Sequence, residues 1–326
     1  MIDDVILRID GLRKFFTARR GFLKPRMVTV RAVDGVTFEL RRGESLGLVG
    51  ESGCGKTTVG RTILRLVEAD AGSIWFKGED VLLANRDRMR QLRRQMQIVF
   101  QDPYSTLNPR MKVGSALAEP MRVHGRTSGV SIQERVEAVL AEVGLPSDAI
   151  DKYPHEFSGG QRQRIGIARA LVLEPELLIA DEPVSALDVS IQAQILLLLK
   201  RLTAGRRLST ILISHDLGVV RFLCQRLAVM YLGRIVEVGP VPQIFDEPLH
   251  PYTRALRDAT PMPDPAVKSI FQPLEGEVAS AVNPPSGCHF HPRCPKRMAI
   301  CVTTYPTWTA VGGGRSVACH LFSEPV

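Results

Sequence analysis

From Val28 to Leu40 apolar residues alternate with polar ones, the period-two pattern of a strand with one buried face. A shorter run, Ser45–Val49, reads as a second strand. "GSIWFKG" (Gly72 to Gly78) predicts a short strand between glycines, and "MQIVFQ" (Met96 to Gln101) another. From Asp102 to Leu173 the period lengthens to that of helices, and "SIQERVEAVLAEVG" (Ser131 to Gly144) is amphipathic up to its closing glycine. "ELLIAD" (Glu176 to Asp181) and "STILIS" (Ser209 to Ser214) are apolar almost throughout, as parallel strands covered on both faces are, with a helix over Ile191–Leu202 between them. This order of strands and crossovers predicts an α/β sheet with a helical insertion. After Gly239 the pattern changes: Tyr252, Ala255, Leu256 and Ala259 fall at helical spacing behind Pro251, and six prolines between Pro261 and Pro285 then disfavour any regular element. No internal repeat is visible.

At 326 residues the chain has room for one large domain or two modest ones. With 44% hydrophobic and 23% charged residues it has an ordinary globular composition. Its longest purely aliphatic run, Ile195 to Leu199, is far too short to cross a bilayer. "MIDDVILRID" at the start lacks the basic and long apolar regions of a signal peptide, so the expectation is a cytosolic chain that reaches a membrane through partners. The net charge of +8 would suit nucleic acid. Its densest basic stretch, "RDRMRQLRRQ" (Arg86 to Gln95), has no interleaved aromatics and reads as a solvated helix face, so no nucleic-acid partner is expected.

Chemistry is concentrated in three segments. "GESGCGKT" (Gly50, Glu51, Ser52, Gly53, Cys54, Gly55, Lys56, Thr57) fits G-x-x-x-x-G-K-[ST] in full and lies between a strand and a helix that begins at Lys56. Its glycines let backbone N–H groups turn inward around phosphate oxygens, at the positive end of the helix. Lys56 would reach the β- and γ-phosphates, and the Thr57 hydroxyl would ligate Mg²⁺; Thr58 completes the contacting set. "LLIADEP" places Asp181 at the end of a buried strand, suited to Mg²⁺, and Glu182 next to it, suited to general-base work on a water. "FSGGQRQRIGIARAL" sets Ser158, Gly159, Gly160 and Gln161 at a helix start, a second anion nest. One ATP cannot easily serve two nests on separate subdomains, which predicts a head-to-tail dimer.

On these residues the chain resembles the ATP-binding subunits of ABC transporters, with "SGGQ" as signature motif. The resemblance covers about residues 5 to 240. It implies that Gln101 in "VFQDP" is the Q-loop residue near γ-phosphate and Mg²⁺, and that "SALD" (Ser185 to Asp188) is the D-loop. His215 in "LISHD" would be the switch histidine, and Phe16, or its neighbour Phe15, the residue that stacks on adenine. The expected fold is a RecA-like core with an antiparallel β subdomain and a helical subdomain of about 102–173. A nucleotide-binding domain over 1–250 would precede an extension over 251–326. "RRQMQIVFQDPYSTLNPR", "DEPVSALDVSIQAQ" and "PLHPYTRAL" are similar to the dipeptide/oligopeptide permease branch, although Ala279 and Ala281 stand where that branch's linker would carry prolines. The branch implies ATP-driven uptake of di- or oligopeptides. Nickel chelates or another small solute are the alternative cargo, and a soluble non-transport ABC ATPase the alternative class. Its partners would be a second, related ATPase chain, two membrane permease subunits and an extracytoplasmic binding protein, at the cytoplasmic face of the membrane.

Cys54 and Cys224 stand alone, whereas Cys288, Cys294, Cys301 and Cys319 cluster in the tail, which in a reducing compartment suggests a metal centre. Their spacings match neither the C-x₂-C pairs of zinc ribbons nor ferredoxin runs. Spacing alone leaves Zn²⁺ and iron–sulfur open, with His289, His291 or His320 able to replace a thiolate. The family resemblance implies a [4Fe–4S] cluster on the four cysteines. A short proline-rich tail buries little apolar surface, so a metal centre would fold it.

Overall fold

The computed structural model describes residues 4–20, 26–102, 106–125, 131–260 and 279–323. In chain order these form β1 (Val5–Arg20), β2 (Arg26–Arg41), β3 (Ser45–Val49), α1 (Lys56–Ile63), β4 (Ala71–Phe76), β5 (Glu79–Asp80), α2 (Arg86–Gln95) and β6 (Met96–Val99). There follow α3 (Val113–His124), α4 (Ile132–Glu142), α5 (Gly159–Leu171), β7 (Leu177–Asp181), α6 (Val189–Arg206), β8 (Ser209–Ser214) and α7 (Leu217–Leu223). The last are β9 (Arg226–Tyr231), β10 (Arg234–Pro240), α8 (Val241–Asp246), α9 (Pro251–Asp258), α10 (Ile300–Thr303), β11 (Thr309–Gly312) and β12 (Arg315–Val317). The chain divides into two compact units, Arg41–Glu44 with Leu83–Leu212, and Ile2–Leu40 with Ser45–Leu82 and Ile213–Val326.

The second unit carries β3 and most of the antiparallel strands. One sheet runs β2-β1-β4-β5, with β1 and β5 both antiparallel to β4. In β2, Val36, Phe38 and Leu40 are buried while Gly35, Thr37 and Glu39 between them are exposed, as the period-two pattern requires. The other strands run in the order β11-β12-β10-β9-β3. Here β3 is parallel to β9, Leu48 opposite Ala228, and the remaining pairs are antiparallel. β3 is buried along its whole length, which explains its unbroken apolar run.

The tail is built onto this unit. β12 pairs with β10, Glu237 opposite Val317, and the backbone N–H of Arg31 donates to Ala281 at 3.0 Å. Glu237 is fully buried, and its carboxylate takes Arg315 Nη2 at 3.1 Å, the N–H of Leu249 at 3.1 Å and that of His250 at 2.9 Å. Such a pair holds only because the remaining lone pairs are also satisfied. Prolines 261–273 of the predicted irregular stretch lie outside the described residues; Pro284 and Pro285 sit in irregular backbone.

In the first unit β6 and β7 are parallel, Ile98 opposite Ile179, with β8 beside β7. The predicted helical insertion resolves into α3, α4 and α5 with two short 3₁₀ turns, Ser147–Asp151 and Pro154–Glu156. α4 opens with a capping box: Ser131 Oγ accepts from the N–H of Glu134, whose carboxylate accepts from the N–H of Ser131. It ends before Gly144, whose φ of 75° suits the left-handed turn of a helix end. α6 is longer than the predicted Ile191–Leu202, because four apolar positions, Ile195, Leu198, Leu199 and Leu202, keep its middle buried while polar turns extend both ends. No described helix is long and apolar enough to cross a membrane.

Candidate active site

β3 delivers the chain into the Gly50–Thr57 loop, and two of its glycines have no room for a side chain. A Cβ on Gly50 would lie 2.1 Å from the Met230 carbonyl oxygen, and one on Gly55 1.9 Å from that of Ala32. Gly53 has open space but a φ of 79°, the left-handed region that a nest of inward N–H groups needs. Lys56 opens α1 and is buried; its Nζ donates to the carbonyls of Gly50 at 2.8 Å and Glu51 at 3.0 Å. The ammonium is thus held over the loop's own oxygens, at the mouth of the nest. Cys54 is buried beside it, and burial pushes its thiol pKa up against the opposing pull of Lys56. Ser52 and Gly53 are exposed, Thr57 and Thr58 half-buried. His215 follows β8 and is exposed, one residue before Asp216, which caps α7 by accepting from the N–H groups of Gly218 and Val219. Phe16 lies on β1, 40% exposed, with Lys14 Nζ 5.4 Å from its ring centre. Phe15 is half-buried, its N–H bonded to Asp70.

In the first unit, Asp181 ends β7 and is almost fully buried. Glu182 follows with a φ of 46°, and its Oε2 accepts from Gln101 Nε2 at 3.0 Å. The structure therefore brings together the acidic pair and the glutamine after β6. Ser158 caps α5, its hydroxyl accepting from the N–H of Gln161 at 3.4 Å while Gln161 Oε1 accepts from the N–H of Ser158 at 3.0 Å. A Cβ on Gly160 would meet Ile191 at 2.4 Å, so that glycine lets α5 approach α6; Gly159 is half-buried. Asp188 is exposed at the start of α6 and makes no side-chain capping bond there.

The four tail cysteines are free thiols, Cys288 and Cys294 half-buried and Cys301 and Cys319 buried. Burial pushes Cys288 and Cys319 up to about 11 and Cys294 upward, and each of these thiolates is further opposed by the other cysteines. Yet among the described residues no three His, Cys, Asp or Glu side chains stand close enough to hold one metal ion. The metal-binding extension expected on these cysteines is therefore not shown by the structure. Nearby, His291 Nδ1 and His320 Nε2 each lie 2.9 Å from a backbone oxygen, and His289 packs edge-on to Tyr305.

Residues 33–185 match the ABC transporter family, and residues 236–301 match the oligopeptide/dipeptide transporter C-terminal region. The chain is 50% identical to the oligopeptide transport ATP-binding protein OppF of Salmonella typhimurium, over 93% of this chain and 92% of that one. It is 48% identical to the oligopeptide transport ATP-binding protein AppF of Bacillus subtilis, over 98% of each chain. The chain belongs to the ATP-binding proteins of ABC transporters. Solved relatives include cbiO1 of Clostridium perfringens, with a TM-score of 0.63 at 28% identity, over 75% of this chain and 92% of that one. A bacterial ABC transporter cassette solved as a dimer gives 0.62 at 25% identity, over 72% and 98%. The fold is that of an ABC ATPase cassette.

Several residues around this ABC ATPase's phosphate loop were not legible as site residues. Tyr252, fully buried, accepts at its hydroxyl from the N–H of Glu51 at 2.8 Å. Arg293 places Nη1 and Nη2 on the two carboxylate oxygens of Glu51, at 2.9 and 3.0 Å. Asp34 takes Arg234 at 2.7 Å, and that guanidinium stacks 4.1 Å above the Tyr305 ring centre. The helical spacing around Tyr252 was readable; its hydroxyl's partner 201 residues away was not.

Proposed function

We propose that this ATPase powers the import of dipeptides or oligopeptides through partner membrane subunits, at the cytoplasmic face of the cell membrane. The observation that carries the reading is the union, on one chain, of a complete phosphate loop with a tail matching the oligopeptide/dipeptide C-terminal region. The nucleotide-binding part is taken as 1–250, with its helical subdomain at 102–173, and the extension as 251–326. A second, related ATPase chain, two permease subunits and an extracytoplasmic binding protein complete the assembly.

In this reading Lys56 leaves the carbonyls of Gly50 and Glu51 for the β- and γ-phosphates, while the N–H groups of the loop through Thr58 receive their oxygens. Thr57, Asp181 and Gln101 are the oxygen donors that would hold Mg²⁺, which neutralises phosphate charge when bound. Water oxygen attacks the γ-phosphorus as its proton passes to Glu182, and the bond to the ADP oxygen breaks. His215 steadies the γ-phosphate, and Phe16 stacks on adenine. Ser158, Gly159, Gly160 and Gln161 close over the ATP of the second ATPase chain, with Asp188 reaching across to it. Cys288, Cys294, Cys301 and Cys319 are proposed as ligands of a [4Fe–4S] cluster that organises the tail, supported by the clustering of four free cysteines in the tail sequence.

The test is ATP hydrolysis by the assembled transporter with its binding protein. A several-fold stimulation by di- or oligopeptides, with none by nickel chelates, is the expected result. Stimulation by nickel chelates alone would reassign the cargo.

A further inference from the structure

Glu51 is the second residue of the phosphate loop, and each of its polar groups has a partner. Its N–H donates to Tyr252 Oη, and its carbonyl takes Lys56 Nζ at 3.0 Å and the N–H of Cys54 at 3.3 Å. Its carboxylate is forked onto Arg293 at 2.9 and 3.0 Å, where the two side chains are only 24% and 5% exposed. Bidentate pairing of this kind fixes direction as well as charge.

The arginine is delivered by a well-anchored segment. Phe290, 1% exposed, has its ring centre 5.3 Å from that of Tyr231 and 5.4 Å from that of Tyr252. The 3₁₀ turn His291–Arg293 follows at once, ending at Cys294. The same aromatic cluster therefore seats both the tyrosine that holds the Glu51 backbone and the turn that holds its side chain.

A carboxylate in a phosphate loop works against the loop's purpose. The nest and Lys56 attract polyphosphate, whereas an unpaired Glu51 would repel it from within the same turn, in a partly desolvated setting where charges are poorly screened. We propose that Arg293 is a positioning residue of the ATP site: it cancels the Glu51 charge and holds that residue in place, so that the tail sets the nucleotide affinity of the loop. This rests on reading Gly50–Thr57 as the phosphate-binding loop.

The test is titration of the full chain with a fluorescent ATP analogue, together with steady-state ATPase kinetics of the assembled transporter. Arg293→Met should weaken nucleotide binding about 10-fold or more, equivalent to ~1.4 kcal/mol. KM should rise by a larger factor than kcat falls. Adding Glu51→Gln to Arg293→Met should restore affinity to within about threefold of wild type, a rescue that mere loss of tail packing would not permit. Arg293→Lys should lie between, because an ammonium supplies the charge without the fork. Should Arg293→Met fail to fold, the full-length double variant still decides the matter: affinity within about threefold of wild type sustains the proposal, and a larger loss overturns it. Wild-type affinity in Arg293→Met, or a double variant no better than the single, would overturn the proposal. Wild-type affinity in Lys56→Ala would instead overturn the reading of the loop itself.

Discussion

Glu182 occupies backbone space that residues with a Cβ enter at a cost of about 1–2 kcal/mol, at φ 46°. Local bonds hold it there: its carbonyl accepts from the Ser185 hydroxyl at 3.2 Å and from the Ser185 N–H at 3.3 Å. The side chain is thereby fixed on Gln101 rather than left to choose among rotamers. Glu182→Gln keeps an amide oxygen for that bond and removes only the proton acceptor. Turnover should fall by at least ~10²-fold while ATP binding persists, read by comparing steady-state ATPase with nucleotide titration. Near-wild-type turnover would remove Glu182 from the base role. At this scale the sequence is informative where the candidate chemistry is contiguous: Gly50 to Thr57 fits a phosphate-loop spacing in full, and Asp181–Glu182 gains its meaning beside it. The partners that condition them, Tyr252 and Arg293, are 201 and 242 residues from Glu51, and no local pattern announces such pairs.

Among the elements, the strands covered on both faces were the easiest to read, and the edges the hardest. β3, β7 and β8 are buried throughout, so composition alone reveals them. β1 was not foreseen because its pairing with β4 slips between Asp10 and Arg13, at Gly11 with φ 57°, so that its alternation restarts in mid-strand. β11 and β12 were missed for another reason: their neighbour β10 lies far back along the chain, and three consecutive glycines, Gly312 to Gly314, dilute their pattern. The tail's thiols give this scale its own prediction. Folding favours the protonated forms of Cys288 and Cys319, with pKa raised from 9.0 to about 11 by burial. In metal-free protein that contribution is whole below pH 9 and is lost as the pH climbs through 11. Alkylation of these two thiols, followed by mass spectrometry, should reach half its limiting rate near pH 11 in the folded chain and near 9 in denaturant. A folded-state midpoint near 9 would contradict the buried arrangement.

Over the whole molecule, the second unit is stitched by charged contacts between remote parts of the sequence: Arg234 with Asp34, 200 residues apart, and Arg293 with Glu51. Closing such long loops costs conformational entropy that only the finished set of contacts offsets. Synthesis runs from the N-terminus at roughly 5–20 residues per second, so the phosphate loop is made about 10–50 s before its arginine. During that interval the nascent loop carries its acidic residue uncompensated. Newborn or prematurely terminated subunits would then be poor competitors for cellular ATP, and the last tenth of the chain would act as a certificate of completion. Ribosome-stalled chains of increasing length can show this: photocrosslinking to an ATP analogue should rise abruptly once residue 293 has left the ribosome, and Glu51→Gln should bring the rise forward. A gradual increase that ignores both would mean that the loop matures without its tail.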